Sequence, residues 1–171
     1  MSNFKDKIVV ITGGSDGIGK ALVAQFLALG AKVATCGRNE NKLSALADEF
    51  PHSDILISKV DVSNQNQSEA FIKQVLGQWG SIDILINNAG IIQPFVKINE
   101  LTFDQAEKVM NVNFYGPFAM IKAFLPGLLT RPYAHILNVS SMGAYAPVPG
   151  QSIYGASKAA VKLMTEGLRS E

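Results

Sequence analysis

The sequence is poor in the residues that staple, coordinate or anchor a chain. Cys36 is its one cysteine and His52 and His135 are its two histidines. An intrachain disulfide is therefore excluded, and a zinc site built from His and Cys has too few ligands, too far apart in sequence. Neither charge sign is in excess: 15 Lys and Arg face 14 Asp and Glu, for a formal net charge of +1. No block of like charge suggests a nucleic acid or an anionic membrane as partner. Long hydrophobic runs are missing too. The N-terminal stretch MSNFKDKIVVITGG holds only the short apolar run Ile8 to Ile11, too brief for a signal-peptide core or a membrane span. These absences point to a cytoplasmic protein with no integral membrane segment. Repeats, low-complexity tracts and linkers are absent as well.

What is present suits one globular unit. The 171 residues, 47% of them hydrophobic, match a single domain over 1–171 with ample material for a core. Short β-branched runs occur at KIVVIT, KVATC, DILISKV, IDILIN and HILNVS, and stretches of helical spacing separate them. Ile18, Leu22, Phe26 and Leu29 form one apolar helix stripe that stops at Gly30. NENKLSALADEF and NQNQSEAFIKQVLGQWG repeat the pattern, with Phe71, Val75 and Trp79 on one face and Trp79 read as core. The segment from Leu101 to Leu129 is expected to hold two helices, punctuated at Gly116-Pro117 and Pro126-Gly127. Strand and helix in alternation predict right-handed crossovers and an α/β, Rossmann-type doubly wound parallel sheet covered on both faces.

Between the first strand and the first helix lies TGGSDGIGK, with Gly13, Gly14, Gly17 and Gly19. Glycines at such a turn let a pyrophosphate approach the helix N-terminus, where free N–H groups and the helix dipole favour an anion. The spacing departs from Gly-x-Gly-x-x-Gly, and no Lys-Ser or Lys-Thr follows as a mononucleotide P-loop requires. A tight turn with close helix packing is the plainer alternative. At the end of the second strand, VATCGRNE offers Arg38 and no carboxylate, which favours a 2′-phosphate and hence NADP(H) over NAD(H). Against this, Arg38 fits an exposed loop charge as well, and Asp16 adds a negative charge to the loop.

Tyr154 and Lys158 stand at i and i+4, one turn apart on a single helix face. A nearby ammonium favours phenolate and suits a tyrosine to proton transfer, although without context such a pair is commonly a solvated helix face. Of the four tyrosines, Tyr115, Tyr133 and Tyr145 have Ala119, Leu137 and Pro149 four positions on, so Tyr154 alone offers the pair. The small Gly155 and Ala156 are read as leaving that face open. A Ser-His-Asp hydrolase is a poor competitor, because neither histidine lies in a triad-like motif and the glycine loop would go unexplained.

TGGSDGIG, Asp61-Val62, NNAG from Asn87 to Gly90, VNFYG around Asn113, NVSS ending at Ser141, and YGASK occur in the order typical of the classical short-chain dehydrogenase/reductase family, which the chain resembles from its first strand to its last residue. The resemblance implies an NAD(P)(H)-dependent oxidoreductase that interconverts an alcohol and a ketone or aldehyde. It assigns to catalysis Asn113 as anchor of a proton relay, Ser141 as holder of the substrate oxygen, Tyr154 as general acid/base and Lys158 as partner of Tyr154 and of the nicotinamide ribose. To the cofactor it assigns Thr12, Gly13, Ser15, Asp16, Gly17, Ile18, Gly19, Arg38, Asp61, Val62, Asn88, Ala89, Gly90, Tyr154 and Lys158, with Asp61 placed to accept from the adenine amino group. Asn88 and Gly90 read equally as a turn after a strand. Ser140 is a neighbour whose spacing from Tyr154 is off by one, and Lys162 is expected to be a surface charge. No metal is implied. A homodimer or homotetramer through the Leu101–Leu129 and Ser152-onward helices is consistent with the family.

The family sheet has seven strands in the order 3-2-1-4-5-6-7, and five are supplied here. The chain is thus expected to be C-terminally truncated, with an open edge at its fifth strand. That expectation keeps a second reading alongside the enzyme: a dinucleotide-binding sensor or interaction module without turnover, or an inactive fragment of a longer reductase. The substrate itself is left undefined. Ile91, Ile92, Phe95 and Val96 after NNAG offer an apolar wall or, alternatively, core.

Overall fold

A computed structural model describes residues 4–146 and 148–171. Five parallel strands, β1 (Ile8–Thr12), β2 (Lys32–Gly37), β3 (Ile55–Lys59), β4 (Ile84–Asn87) and β5 (His135–Asn138), form one sheet in the order β3-β2-β1-β4-β5. β1 is central, with Val9 in register with Val33 on one side and Ile84 on the other. β5 pairs with β4 through Leu85↔Ile136 and Ile86↔Leu137. Its outer side has no strand partner among the described residues.

Strand alternation divides the core in two. Val9, Ile11, Val33, Ile84 and Ile86 face α1 (Gly17–Ala28) and α2 (Glu40–Glu49), meeting Val23 and Leu46. Val10, Ala34, Cys36 and Leu85 face the other way, onto α3 (Gln65–Trp79) and α5 (Gly116–Leu128), meeting Phe71, Val75, Met120 and Phe124. Met164 and Leu168 of α6 (Ser152–Ser170) pack against the same cluster. Burying each of Phe71 and Phe124 contributes about 2–3 kcal/mol of transfer free energy. Trp79 packs against that cluster as read. The α1 stripe is narrower than its spacing suggested: Ile18 and Leu29 are 65% and 49% exposed, and the helix anchors through Val23, with Leu22 and Phe26 beside it. Ile18 sits at the mouth of the glycine loop and Leu29 past the last helical turn, where the sheet no longer covers them.

The expected breaks at Gly116-Pro117 and Pro126-Gly127 do not occur. α4 (Phe103–Met110) runs into a five-residue π-helical turn, Asn111–Tyr115, and then directly into α5. The Gly116 N–H reaches back to the Asn111 carbonyl. That extra residue per turn brings Pro117 into the first turn of α5, where a missing N–H costs little. Pro126 lies close to the helix end, and the carbonyl it leaves free is that of Lys122, on the solvent side.

A charged knot ties the sheet at the end opposite the glycine loop. Asp83 is 2% exposed. Its Oδ2 accepts from the Ile8 N–H at 2.9 Å, and its Oδ1 accepts from Arg131 Nε at 3.0 Å and Nη2 at 2.6 Å. Burial raises the Asp83 pKa, but the Ile8 N–H and Arg131 together hold it below the usual carboxylate value. Asp83→Ala is expected to cost about 3 kcal/mol, because it leaves the half-buried Arg131 without its partner; urea unfolding measures this. The pH dependence has a definite sign. A folded pKa below the unfolded one gives stability that is complete above about pH 4 and is lost as pH falls through the folded value. The variant should therefore lose less stability than wild type on acidification.

Candidate active site

The C-terminal edges of β1, β2 and β4 open onto a cleft of about 420 Å³. Its floor is stitched by β1 and β4. Thr12 Oγ1 accepts from the Asn88 and Ala89 N–H groups, each at 3.1 Å, and Asn88 Nδ2 donates to the Thr12 and Gly13 carbonyls at 3.0 and 3.2 Å. Thr12 and Asn88 thus hold the two strand ends in register. Above the floor α1 begins at Gly17 with φ +49°, and no heavy atom lies within 4 Å of where its Cβ would be. The left-handed conformation suits glycine, and the space it leaves faces the helix N-terminus. At Gly19 a Cβ would overlap the Gly13 carbonyl, so that glycine brings α1 against the loop. A helix N-terminus bordered by empty space is an anion site in the making.

Of the residues expected to bind a cofactor, Gly13, Ser15, Asp16, Gly17, Arg38, Asp61, Val62, Asn88, Ala89 and Gly90 line this cleft. Thr12, Ile18, Gly19, Tyr154 and Lys158 do not: Thr12 is beneath the floor, Ile18 is exposed, Gly19 is at the packing contact, and Tyr154 and Lys158 lie on α6, with Lys158 Nζ next to Gly90. Cys36, Gly37, Val60, Ile91 and Val112 also line it and were not foreseen, nor were the two hydrogen-bonding side chains of Asn39 and Lys42. Asn39 caps α2 through its Oδ1 on the Lys42 N–H at 3.1 Å. Lys42 Nζ bonds the Asp16 carboxylate, and that contact, with the Gly17 N–H, lowers the Asp16 pKa. The negative charge of Asp16 is thus spent on capping α1 and on Lys42. The only prior signal for Lys42 was a second basic residue four positions after Arg38, one helical turn on.

Asp61 sits at the far wall. Burial raises its pKa, and hydrogen bonds from Ser63 N–H at 3.0 Å and Oγ at 2.6 Å, with Arg38 beyond, bring it below the ordinary value. Its Oδ2 lies 4.0 Å from Arg38 Nη1, and Oδ1 takes both Ser63 bonds, so Oδ2 is the oxygen with acceptor capacity to spare.

Where the cleft ends, at Gly90, the second group of residues begins. A Cβ on Gly90 would lie 3.2 Å from Lys158 Nζ and 3.4 Å from Asn113 Oδ1. Lys158 is 5% exposed, and its Nζ donates to the Val139 carbonyl at 2.8 Å. Burial pulls its pKa below the usual lysine value. Asn113, in the π-helical turn, is fully engaged by protein: Oδ1 accepts from Ile91 N–H at 2.8 Å, and Nδ2 donates to the Ile91 carbonyl at 2.9 Å and to Ser157 Oγ at 3.0 Å. Ser157 in turn donates to the Tyr154 carbonyl at 2.7 Å, a link that sequence reasoning missed.

Ser141 and Tyr154 flank Gly143. A Cβ on Gly143 would be 3.5 Å from both Ser141 Oγ and Tyr154 Cε1. Ser141 opens the short 3₁₀ turn Met142–Ala144, its Oγ accepting from the Gly143 N–H at 3.1 Å. Ser140 Oγ is committed elsewhere, donating to the Lys158 carbonyl at 3.1 Å. Gly155 serves a different purpose from the one its size suggested. A Cβ there would come within 2.8 Å of the Gly143 carbonyl, so its smallness lets that turn pack on α6 rather than keeping the face open. Lys162 is not a free surface charge: it is half-buried, with Nζ 5.1 Å from the centre of the Tyr145 ring.

The sequence profile described as short chain dehydrogenase matches residues 7–171. The chain belongs to the short-chain dehydrogenase family. An uncharacterized oxidoreductase of Staphylococcus saprophyticus is 37% identical over 172 residues, covering 100% of this chain and 69% of its own length. Among solved structures, a short-chain dehydrogenase/reductase from Burkholderia phymatum in complex with NAD superposes with a TM-score of 0.92 at 31% identity, over 98% of this chain and 60% of that one. A closed form of serine dehydrogenase complexed with NADP+ gives 0.89 at 32%, over 95% and 65%. This family member therefore spans under two thirds of those two chains, and its five-stranded sheet is the part it shares with them. Among its described residues no helix is long and apolar enough to cross a membrane, and no three His, Cys, Asp or Glu side chains gather as a metal set.

Proposed function

We propose that this short-chain dehydrogenase interconverts a small alcohol and its ketone or aldehyde with NADP(H), Tyr154 acting as general acid in reduction and general base in oxidation. One observation carries the reading: Lys158 Nζ, one turn from Tyr154 on α6, stands next to Gly90 at the edge of the cleft that begins at the α1 N-terminus. The α1 N-terminus and the bare Gly17 fit a pyrophosphate, and Asp61 Oδ2 fits an adenine amino donor. The nicotinamide supplies the hydride. Tyr154 donates its hydroxyl proton to the carbonyl oxygen in reduction and takes it back in oxidation, with Ser141 Oγ holding that oxygen. Lys158 places positive charge beneath Tyr154 and offers an ammonium to a ribose hydroxyl. Asn113 fixes Ile91 and, through Ser157, the Tyr154 backbone; in this reading it anchors the proton relay by holding those parts still. Oxidation of NADPH on adding small aldehydes and ketones, followed by near-ultraviolet absorbance, tests the assignment.

NADP(H) is favoured because Arg38 and Lys42 both line the cleft, two cations for a 2′-phosphate, Lys42 held only by the exposed Asp16 and Arg38 only by a loose 4.0 Å contact with Asp61. The similar structures include one with NAD and one with NADP+, so the family scaffold admits either. Arg38→Ala should weaken NADPH binding about tenfold and leave NADH binding unchanged, the loss expected for one charged hydrogen bond; fluorescence titration with both cofactors reads it. Equal weakening of both would remove the phosphate contact. Exposed apolar side chains next in sequence to site residues suit an apolar substrate: Ile92 and Phe95, in the loop after Gly90, are 58% and 68% exposed rather than core, and Met142, next to Ser141, is 76% exposed. Assembly through α4 and α5 is consistent with Phe103 and Phe118, which stand 93% and 46% exposed.

A further inference from the structure

The helix that carries Tyr154 and Lys158 begins without a cap of its own. Helices α1 to α4 are each capped by a residue at their own start, Asp16, Asn39, Asn64 and Thr102. Gln151, which precedes α6, makes no such bond. The leading amides of a helix need acceptors wherever water is excluded. Here a residue nearly sixty positions away in sequence provides them. Gln93 Oε1 accepts from the Ile153 N–H at 2.8 Å and from the Tyr154 N–H at 2.9 Å. Its Nε2 donates to the Gly150 carbonyl at 2.9 Å, and its own carbonyl accepts from Gln151 Nε2 at 2.9 Å.

Gln93 is 1% exposed, and both lone pairs of its side-chain oxygen are in use. It belongs to the loop that leaves Gly90 at the cleft. Asn113 clamps that loop at Ile91, and Gly150 at its far side would bring a Cβ to 3.4 Å from the Phe95 and Val96 backbone. The stretch from the cleft to Gln93 is therefore held at both ends, and its last anchor is the Tyr154 amide itself. A ring that must meet a substrate oxygen needs its helix start fixed, since a displacement of about 1 Å can cost a hundredfold in rate.

We propose that Gln93 is a positioning residue for the reaction: it caps α6 from the cofactor-side loop and so sets where Tyr154 stands relative to the cleft. The proposal rests on Tyr154 being the acid/base. The test compares wild type with Gln93→Met, which keeps the volume and loses the acceptor, and Gln93→Glu, which as the neutral acid favoured by burial keeps the acceptor and a donor for the Gly150 carbonyl; Gln93→Asn, one methylene shorter, is the milder second variant if Met disturbs folding. In the Met variant, amide exchange at Ile153 and Tyr154 should quicken about tenfold, as expected for a lost cap, while the β1 amides Val9 to Ile11 stay at their wild-type rates. With diacetyl and NADPH as the probe pair, kcat should fall about 10- to 100-fold with the KM for NADPH within about twofold of wild type, and Glu should recover most of it. Unchanged exchange at both amides overturns the proposal, as does quickened exchange with wild-type turnover. Tyr154→Phe run beside it keeps the two ideas apart. If that variant turns over normally the acid/base reading has failed, whereas amide exchange still reports the cap.

Discussion

Tyr154→Phe is expected to lower kcat/KM for NADPH-dependent carbonyl reduction about a thousandfold, within the range for loss of a positioned general acid. The substitution removes one oxygen and leaves the ring. That ring borders Gly143, and the Tyr154 backbone is held by Gln93 and Ser157, so neither the turn nor the helix has reason to move. NADPH affinity should therefore stay within about twofold, because the proposed cofactor cleft is built from the ends of β1, β2 and β4 rather than from the phenol. Steady-state kinetics with a direct titration of NADPH separates the two effects. A variant that reduces carbonyls at the wild-type rate would remove Tyr154 from the chemistry.

Lys158→Met should cost about a hundredfold in kcat, as for removal of a charge that stabilises a developing anion. It should also raise the KM for NADPH, which Tyr154→Phe should not. The difference follows from position. Lys158 Nζ stands beside Gly90, which lines the cleft, whereas the Tyr154 ring borders Gly143, which does not. Methionine preserves the buried stem, so the loss reports the ammonium and not a cavity. The Val139 carbonyl, which accepts from Nζ at 2.8 Å, loses its donor, and a modest drop in melting temperature should accompany the kinetic effect. Equal loss of kcat and NADPH affinity with Lys158→Arg would indicate that geometry, rather than charge alone, matters at this buried site.

The strands were the most legible part of the sequence. KIVVIT, KVATC and IDILIN are β-branched, continuous and short, and such runs have few alternatives to the buried middle of a parallel sheet. Their parallel direction followed from the alternation with helices, and their order from the family resemblance. Helix boundaries between Leu101 and Leu129 were misread because Gly116-Pro117 looks like a break. The π-helical turn that absorbs it is a register shift with no local sequence mark, and the same turn holds Asn113. Ile18 and Leu29 had the right spacing for a buried stripe, but burial depends on how far the sheet extends beneath the helix.

The site was legible where a motif is local and opaque where it is made by packing. The glycine loop, Asp61 and the Tyr154/Lys158 pair can each be seen within a few residues. Gln93 could not: in IIQPF it is a lone polar residue in an apolar stretch, and its partners arrive from residues 150 to 154. Lys42 was hidden for the opposite reason, since charged residues at helical spacing are ordinary on surfaces, and only its place beside Asp16 sets it apart. Gly155 shows the same limit. Its smallness was visible, but the Gly143 carbonyl that requires it was not.

In the proposed function this chain uses a bound nicotinamide for chemistry rather than merely holding it. The most direct measurement incubates the protein with NADPH carrying deuterium at both positions of the nicotinamide C4 and a set of small aldehydes and ketones, and reads the products by mass spectrometry. The expected product is an alcohol carrying deuterium on its carbinol carbon, formed by wild type and suppressed in Tyr154→Phe. Tight NADPH binding with no label in any product would contradict it and leave a dinucleotide-binding module in its place.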